Sequence, residues 1–240
     1  MMQAIPILIL RLEGVLQSWG EHSKWDYRDS ASMPTKSGII GMIGCAMGLE
    51  RGDKKLEDLS ECLKMAVRAD RPGREVVDFQ TVRSRNLLNA QGKHRGKQGE
   101  YSTLVTYRTY LQDAFFTVAI SGERALLEEI RQAFWNPKWT VYLGRKNCVP
   151  SRPVCDKEVT EEYNSLEEAI RHIAVAQSQT HDDMDSMLIE LEVPAKTENL
   201  AGNRMERQDV IAGSRYFQNR TVVRCHMERK GNDDSQQVQH

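Results

Sequence analysis

The sequence has few cysteines and no long apolar run, and both absences restrict what the protein can be. The cysteines form no Cys-x-x-Cys pair and have no nearby histidine at zinc-finger spacing, which argues against a disulfide framework and a structural zinc site. They are Cys45, Cys62, Cys148, Cys155 and Cys225. The apolar run at residues 4–10 is too short to cross a membrane, and no basic residue precedes it as in a signal peptide. We therefore expect a cytoplasmic protein without membrane contacts.

The chain also lacks an excess of charge of one sign. Its formal net charge is -1 and its pI is about 6.6, which excludes a histone-like or polybasic protein. The average hides a local asymmetry, because residues 79–110 contain six Lys or Arg and one acid, whereas residues 156–200 contain twelve Asp or Glu against three Lys or Arg. Residues 204–230 are basic again. A polyanion should contact the middle and the end of the chain.

The apolar pattern predicts a mixture of strands and helices. Strands are predicted at residues 5–13, 65–70, 106–120, 187–193 and 214–227, and helices at residues 38–49, 53–64, 122–135 and 165–176. The first strand should be central in a sheet, and the polar and aromatic residues 17–32 should form a long exposed connection. This order of elements, with a basic excursion in the middle, suits an α+β fold of the ferredoxin-like (RRM-like) type that carries a long insertion.

The basic excursion is the strongest candidate for a ligand-binding segment. Its cations and histidine lie among glycine, asparagine and glutamine, so it cannot bury a core, and it could neutralise phosphates without reading their sequence. These residues are Arg83, Arg85, Lys93, His94, Arg95 and Lys97. Tyr101, Tyr107, Arg108 and Tyr110 follow and offer rings for base stacking. A solvated loop without a ligand has the same composition, but the two features together favour single-stranded nucleic acid.

Two shorter segments could hold an anion. Thr35, Lys36 and Ser37 stand at the start of a predicted helix whose glycines recur at three- and four-residue intervals, so the helix could bind an anion, pack closely on a sheet, or both. The turn at residues 142–147 combines a tyrosine, a glycine and two adjacent cations, as a pocket for an RNA end needs. A surface turn whose cations face water fits the same residues.

Catalytic motifs are scarce. Lys93 and His94, together with Tyr27, could act in a metal-independent ribonuclease, although a histidine in such a loop more often contacts phosphate or solvent. No Walker, Gly-x-Ser-x-Gly or metal-hydrolase pattern is present. His181, followed by two aspartates, could bind a metal but fits an exposed acidic loop better. We therefore expect no metal and no cofactor.

Several blocks of the sequence resemble a known family. They are ILILRL at residues 7–12, LQSWG at 16–20, PTKSGIIGMIG at 34–44, AVRAD at 66–70, YRTYLQDAFFTVA at 107–119 and YLGRKNC at 142–148. In this order and at these distances they are similar to the CasD family of type I-E Cascade, a CRISPR surveillance complex. The resemblance covers roughly the first 155 residues.

The resemblance implies a non-catalytic subunit that binds the 5′ handle of crRNA and caps the backbone filament of Cascade. It implies a ferredoxin-like RAMP domain at residues 1–150 with a β-hairpin thumb at about 79–110, a smaller C-terminal subdomain at 151–230 and a flexible tail at 231–240. Implied partners are the backbone subunits, the large subunit and the small subunits, with target DNA recognised indirectly through the guide. The residues that match segments around the handle are Gln17, Ser18, Trp19, Lys36, Ser37, Arg108, Tyr142, Gly144, Arg145, Lys146 and Asn147.

Two other classes stay open at this point. A related subunit of type I-C systems cleaves the repeat RNA with a tyrosine, a lysine and a histidine, and Lys93 and His94 keep that alternative. An RRM-like RNA binder outside CRISPR systems would also fit the composition. Cleavage abolished by His94→Ala distinguishes the first alternative, and tight binding to RNAs unrelated to any repeat distinguishes the second.

Overall fold

The computed structural model describes residues 4–22, 24, 26–89, 91–97, 99–175, 186–194, 202–210 and 217–228. The strands in this part of the chain are β1 (Ile7–Glu13), β2 (Leu16–Gln17), β3 (Tyr27–Arg28), β4 (Lys64–Arg71), β5 (Arg74–Ser84), β6 (Ser102–Gln112), β7 (Phe115–Ser121), β8 (Ser186–Glu192), β9 (Asn203–Val210) and β10 (Phe217–Glu228). The helices are α1 (Lys36–Met47), α2 (Lys54–Cys62), α3 (Arg124–Trp135) and α4 (Leu166–His172). The fold is a sheet-rich α+β arrangement.

The main sheet has six strands in the order β1-β7-β4-β8-β10-β9, with antiparallel neighbours. The strands β1, β4 and β7 are buried along almost their whole length, which explains their dense apolar sequences. The helices α1, α2 and α3 contribute to the core on one face of this sheet, and α4 contributes to a second apolar cluster. The sheet is therefore covered on both faces in its middle.

The position of β1 differs from the prediction. It stands at the end of the strand order rather than in the centre. Its outer edge is nevertheless covered, because the amide of Ile7 donates to the carbonyl of Thr160 at 2.9 Å and the amide of Asp156 donates to the carbonyl of Ile9 at 3.0 Å. Backbone groups that would otherwise be unpaired at an edge are satisfied in this way, so the strand can be as apolar as a central one.

The predicted single strand at residues 106–120 is wrong. The chain forms two strands, β6 and β7, with a turn at residues 113–114 between them. Asp113 has a φ of 55°, in the left-handed region that aspartate tolerates better than most residues. The turn sends β6 into a second sheet, where it pairs with β2, β3 and β5.

The strands β5 and β6 form a long antiparallel hairpin. Each has 11 residues, and the register runs from Arg74 opposite Gln112 to Ser84 opposite Ser102. The short strand β3 pairs with the free edge of β6 in parallel. Residues 85–101 connect the two long strands and contain most of the cations of the basic excursion.

The C-terminal strands β8, β10 and β9 continue the main sheet beyond β4. The sheet thus runs across residue 150, and the division into two domains at that point stays a prediction. The strand β9 was not predicted from the sequence. The predicted tail at residues 231–240, His181, and residues 176–185 and 195–200 of the acidic segment 156–200 lie outside the described residues.

Helix boundaries follow local signals. The hydroxyl of Thr35 accepts from the amide of Gly38 at the start of α1, and Ser165 accepts from the amide of Glu168 at the start of α4. Gly48 ends α1 with a φ of 75°. Within the described part of the chain, no helix is long and apolar enough to cross a membrane.

Candidate nucleic-acid interface

The loop at the end of the hairpin presents its cations to solvent. Arg83, Arg85, Lys93, His94 and Lys97 are exposed, and Arg95 is half-buried. No cation of this group forms an ion pair with another described residue. The positive charge of the loop is therefore available to a polyanion.

Two of these cations are ordered by an aromatic ring. The guanidinium carbon of Arg83 lies 4.8 Å from the ring centroid of Tyr101, and that of Arg85 lies 4.6 Å from the same centroid. Cation–π attraction holds the two side chains near the start of β6 without neutralising them. The two contacts place the positive charges of Arg83 and Arg85 beside Tyr101.

Three aromatic residues form a row across the second sheet. Phe79 on β5 and Tyr27 on β3 are both register partners of Tyr107 on β6, so the three side chains share one face. The rings of Phe79 and Tyr107 meet edge to face, with centroids 5.5 Å apart. Their side chains are exposed, at 58% for Phe79, 45% for Tyr107 and 42% for Tyr27. We call this set the aromatic row.

The other aromatic residue that the sequence offered for stacking is not available. Tyr110 is 1% exposed and lies in the main core. Arg108 follows Tyr107, so its side chain lies on the opposite face of β6, and it is half-buried with no partner for its Nε. The structure therefore does not bring Arg108 together with Tyr107 on one surface.

The turn at residues 142–147 is attached to the second sheet mainly by Arg145. The guanidinium of Arg145 donates to the carbonyls of Thr109 at 3.1 Å, Arg28 at 3.0 Å and Asp29 at 3.1 Å. It also lies 4.7 Å from the centroid of the Tyr110 ring. This side chain joins three segments of the chain, and its donors face the protein.

Neighbouring residues of the turn are also engaged inside the protein. Asn147 donates to the hydroxyl of Tyr110 at 3.0 Å. A Cβ at Gly144, whose φ is 90°, would lie 1.7 Å from the carbonyl oxygen of Ser18, so only glycine fits there. Tyr142 is half-buried, and Lys146 is exposed. Of the predicted contacts in this turn, Lys146 is the charged group that faces solvent.

The predicted exposed connection at residues 17–32 is buried at its start. Gln17, Ser18 and Trp19 are 0%, 2% and 1% exposed. The amide of Gln17 donates to the carbonyls of Leu12 and Ala114, its oxygen accepts from the Trp19 indole at 3.2 Å, and Ser18 donates to the carbonyl of Thr109. The prediction of exposure is wrong here because these polar groups complete each other's hydrogen bonds in the core.

The start of α1 is likewise engaged within the chain. Lys36 is 4% exposed, and its Nζ donates to both carboxylate oxygens of Glu192 at 3.0 and 3.1 Å. Burial lowers the pKa of Lys36, although the charge of Glu192 opposes that change. Ser37 is half-buried. The helix start is therefore joined to β8 by an ion pair, and Lys36 already has an anionic partner.

The candidate ribonuclease residues are far apart. Tyr27 pairs with Tyr107, whereas Lys93 and His94 lie in the loop beyond Ser102, the first residue of β6. The five residue steps from 102 to 107 span about 17 Å of strand. A general base and its partners need hydrogen-bonding distances, which this arrangement does not give. Among the described residues, no three His, Cys, Asp or Glu side chains converge as a metal site.

Comparisons with known proteins agree on one family. Residues 7–223 match the family model described as CRISPR-associated protein (Cas_Cas5). The chain belongs to this family. A relative from Escherichia coli (strain K12), "CRISPR system Cascade subunit CasD", is 36% identical over 159 residues, which cover 61% of this chain and 68% of the relative. The family membership confirms the resemblance that the sequence blocks indicated.

Two solved structures are also similar along nearly the whole chain. A chain of a "CRISPR RNA-guided surveillance complex" has a TM-score of 0.69 and 33% identity, covering 92% of this chain and 90% of that one. A "Crystal structure of Cas protein" has a TM-score of 0.66 and 31% identity, covering 93% and 95%. The similarity includes the C-terminal third, where the sequence blocks gave no clear match.

Sequence reasoning missed part of this surface. Phe79 was not considered, and Tyr27 was considered only as a catalytic group. Neither can be recognised from spacing, because their proximity to Tyr107 depends on the register of two strand pairs. The sequence offered one signal for this surface, which is an aromatic residue in a strand next to a basic segment.

Proposed function

We propose that this chain is a non-catalytic subunit of a type I-E CRISPR surveillance complex and that it binds the 5′ handle of crRNA. The observation that carries the proposal is the hairpin, whose exposed cations have no acidic partner among the described residues. Such a surface suits a phosphate backbone. Membership of the CRISPR-associated family and the similarity to CasD support the assignment to Cascade.

The finer fold assignment is part of the proposal. We assign residues 1–150 to a ferredoxin-like RAMP domain, in which the hairpin at about 79–110 is the thumb. The strand order β1-β7-β4 and the contacts between α1 and α3 support it. Residues 155–160, just beyond this boundary, pair with the outer edge of β1. The C-terminal subdomain would then be residues 151–230, whose described strands β8, β9 and β10 extend the main sheet.

The proposed contact set is smaller than the one that the sequence implied. It keeps the exposed loop cations and Lys146, because these charges face solvent. Gln17, Ser18, Trp19, Lys36, Arg145 and Asn147 become residues that hold the surface in place, because their polar groups bond within the chain. Ser37, Arg108 and Tyr142 remain candidates.

The expected partners are those of a subunit at the end of a filament. We propose contacts with the backbone subunits, the large subunit and the small subunits, in the cytoplasm, with target DNA read by guide pairing and not by this chain. The proposal includes no metal and no cofactor.

The binding test uses the full chain and labelled repeat-derived handle RNA at several salt concentrations. Lys93→Gln with Lys97→Gln should weaken binding, and the slope of log K against log salt should fall by about 0.7 per lost phosphate contact. Thermal stability should stay within about 0.5 kcal/mol of wild type, because both side chains are exposed. An unchanged slope would contradict the proposed role of the hairpin.

The same RNA also tests the alternative function. Repeat RNA incubated with the protein in EDTA should stay intact on a denaturing gel, because Tyr27 lies far from Lys93 and His94. Specific cleavage that His94→Ala abolishes would instead assign the chain to the repeat-processing ribonucleases.

A further inference from the structure

The aromatic row has a geometry that the charged loop does not explain. Tyr27, Tyr107 and Phe79 occupy the same register position on three adjacent strands. Neighbouring strands lie about 4.8 Å apart, so the three side chains form one continuous strip across the sheet. The hydroxyl of Thr109 bonds to the Tyr27 hydroxyl at 3.2 Å, which places Thr109 on the same face.

Exposure of three large rings needs a reason. Each of the three residues keeps more than two fifths of its surface exposed to solvent. Phe79 and Tyr107 meet edge to face rather than stacking on each other, so their pair uses a face of only one of the two rings. A flat ring face at a sheet surface is the group on which single-stranded nucleic acids place their bases.

The charges near the row also favour an anionic chain. Arg83 lies two positions beyond Thr81 on the same face of β5, Arg85 follows two positions later just past the end of the strand, and their guanidinium groups lie near the Tyr101 ring. Arg145 does not add charge to this face, because its guanidinium lies over the ring of Tyr110, whose side chain is on the opposite face of β6 from Tyr107. The cations on the face of the row are therefore those near the hairpin loop.

We propose that the aromatic row holds unpaired bases of the bound RNA by stacking, whatever their identity. The proposal rests on the proposed function and deepens it, because it assigns the bases to one face of the hairpin and the phosphates to the cations around it. Stacking on a ring accepts every base, whereas no hydrogen-bonding side chain of the row other than the tyrosine hydroxyls could read one.

A protein partner is the competing occupant of this face. Val77 is exposed at 52% on the same side of β5, and a purely apolar contact would use it together with the rings. The flanking arginines and the lack of acidic partners for them fit a phosphate chain better than an apolar protein surface. The experiment below separates the two.

The test compares two RNAs that have the same number of phosphates. One is the handle RNA, and the other has abasic sites at its unpaired positions. Both are titrated against the full-length wild type, Tyr107→Leu, Phe79→Leu and the control Tyr107→Phe, which keeps the ring. Wild type should prefer the RNA with bases by on the order of 10-fold for each stacked base. Tyr107→Leu should lose most of that preference, and Tyr107→Phe should keep it.

Binding of the abasic RNA and its salt slope should be equal for all four proteins, because the phosphate contacts remain. Unchanged preference in both leucine variants would overturn the inference and leave the proposed function intact. Normal RNA binding with lost assembly onto partner subunits would also overturn it and assign the row to a protein interface. If wild type bound neither RNA, the proposed function itself would fail.

Discussion

The cations of the hairpin loop and those of the C-terminal strands look alike in the sequence but are in opposite situations. Arg207 bonds to Glu21 at 2.5 Å and to Glu190 at 2.9 Å, Arg220 bonds to Asp209 at 2.7 Å, and all these side chains are buried or nearly so. The loop cations have no such partners among the described residues and face water. A cluster of cations in a sequence therefore predicts a polyanion site only where the fold does not pair those cations with carboxylates.

The largest effect on the free energy of unfolding should come from removing the charge of a buried carboxylate in the C-terminal strands. Glu190 is 2% exposed and accepts from Arg207 at 2.9 Å and from Arg224 at 2.7 Å. Glu190→Gln keeps the volume but leaves two guanidinium groups without their shared anion, which should cost about 3 kcal/mol. Urea unfolding would measure the change in the free energy of unfolding.

The ion pairs of Glu190 also make the free energy of unfolding depend on pH in acid, and this dependence serves as the control. Burial alone would raise the pKa of Glu190, but the hydrogen bonds and charges of Arg207 and Arg224 outweigh it and lower the pKa below 4.5. A lowered folded pKa means that Glu190 contributes stability above its unfolded pKa and loses it as pH falls through the folded pKa. The difference in free energy of unfolding between wild type and Glu190→Gln should therefore become smaller in acid. A difference that did not change with pH would contradict the role of this ion pair.

A smaller loss should follow from releasing the turn that presents Lys146. Arg145→Ala removes the bonds to three backbone carbonyls and the contact with the Tyr110 ring, which should lower the free energy of unfolding by about 2 kcal/mol. Arg145→Lys should recover less than half, because an ammonium lacks the planar fork that spans these carbonyls.

The salt slope of RNA binding tells whether Arg145 holds the turn or contacts phosphate. Under conditions where the variant is folded, a residue that only holds the turn leaves the slope unchanged. A fall of about 0.7 would instead make Arg145 a direct phosphate contact, as the sequence blocks implied.

The parts of the fold that the sequence predicted are those in which local and tertiary preferences agree. The strands β1, β4 and β7 are apolar because they are buried, and Thr35 and Ser165 cap their helices as their residue types favour. The strand β9 was missed because its sequence, NRMERQDV, is highly polar. Its charged side chains form ion pairs with residues of β8 and β10. These partners are distant in sequence, so the sequence alone does not identify them.

For the candidate site, the sequence could not tell which of the side chains that it singled out reach the surface. Trp19 and Tyr110 have the residue type of a stacking platform, yet both are core residues, and Gln17 bonds to the indole that it precedes by two positions. Residue type alone cannot separate a ring that stacks on a base from one that fills a core. The register of β5, β6 and β3 makes that separation, and it depends on contacts between residues as distant as 27 and 107.

The smallest effect is expected from the substitution of a single exposed cation, Lys146. Lys146 is exposed and follows a turn that Arg145 fixes in place, so Lys146→Gln should leave the free energy of unfolding within about 0.5 kcal/mol of wild type. If its ammonium contacts one phosphate, the salt slope of handle binding should fall by about 0.7. Lys157→Gln is the matched control, because Lys157 is also an exposed cation and lies near the outer edge of β1. Equal slopes for the two variants would mean that the turn lies outside the RNA path, and the binding surface would then reduce to the hairpin.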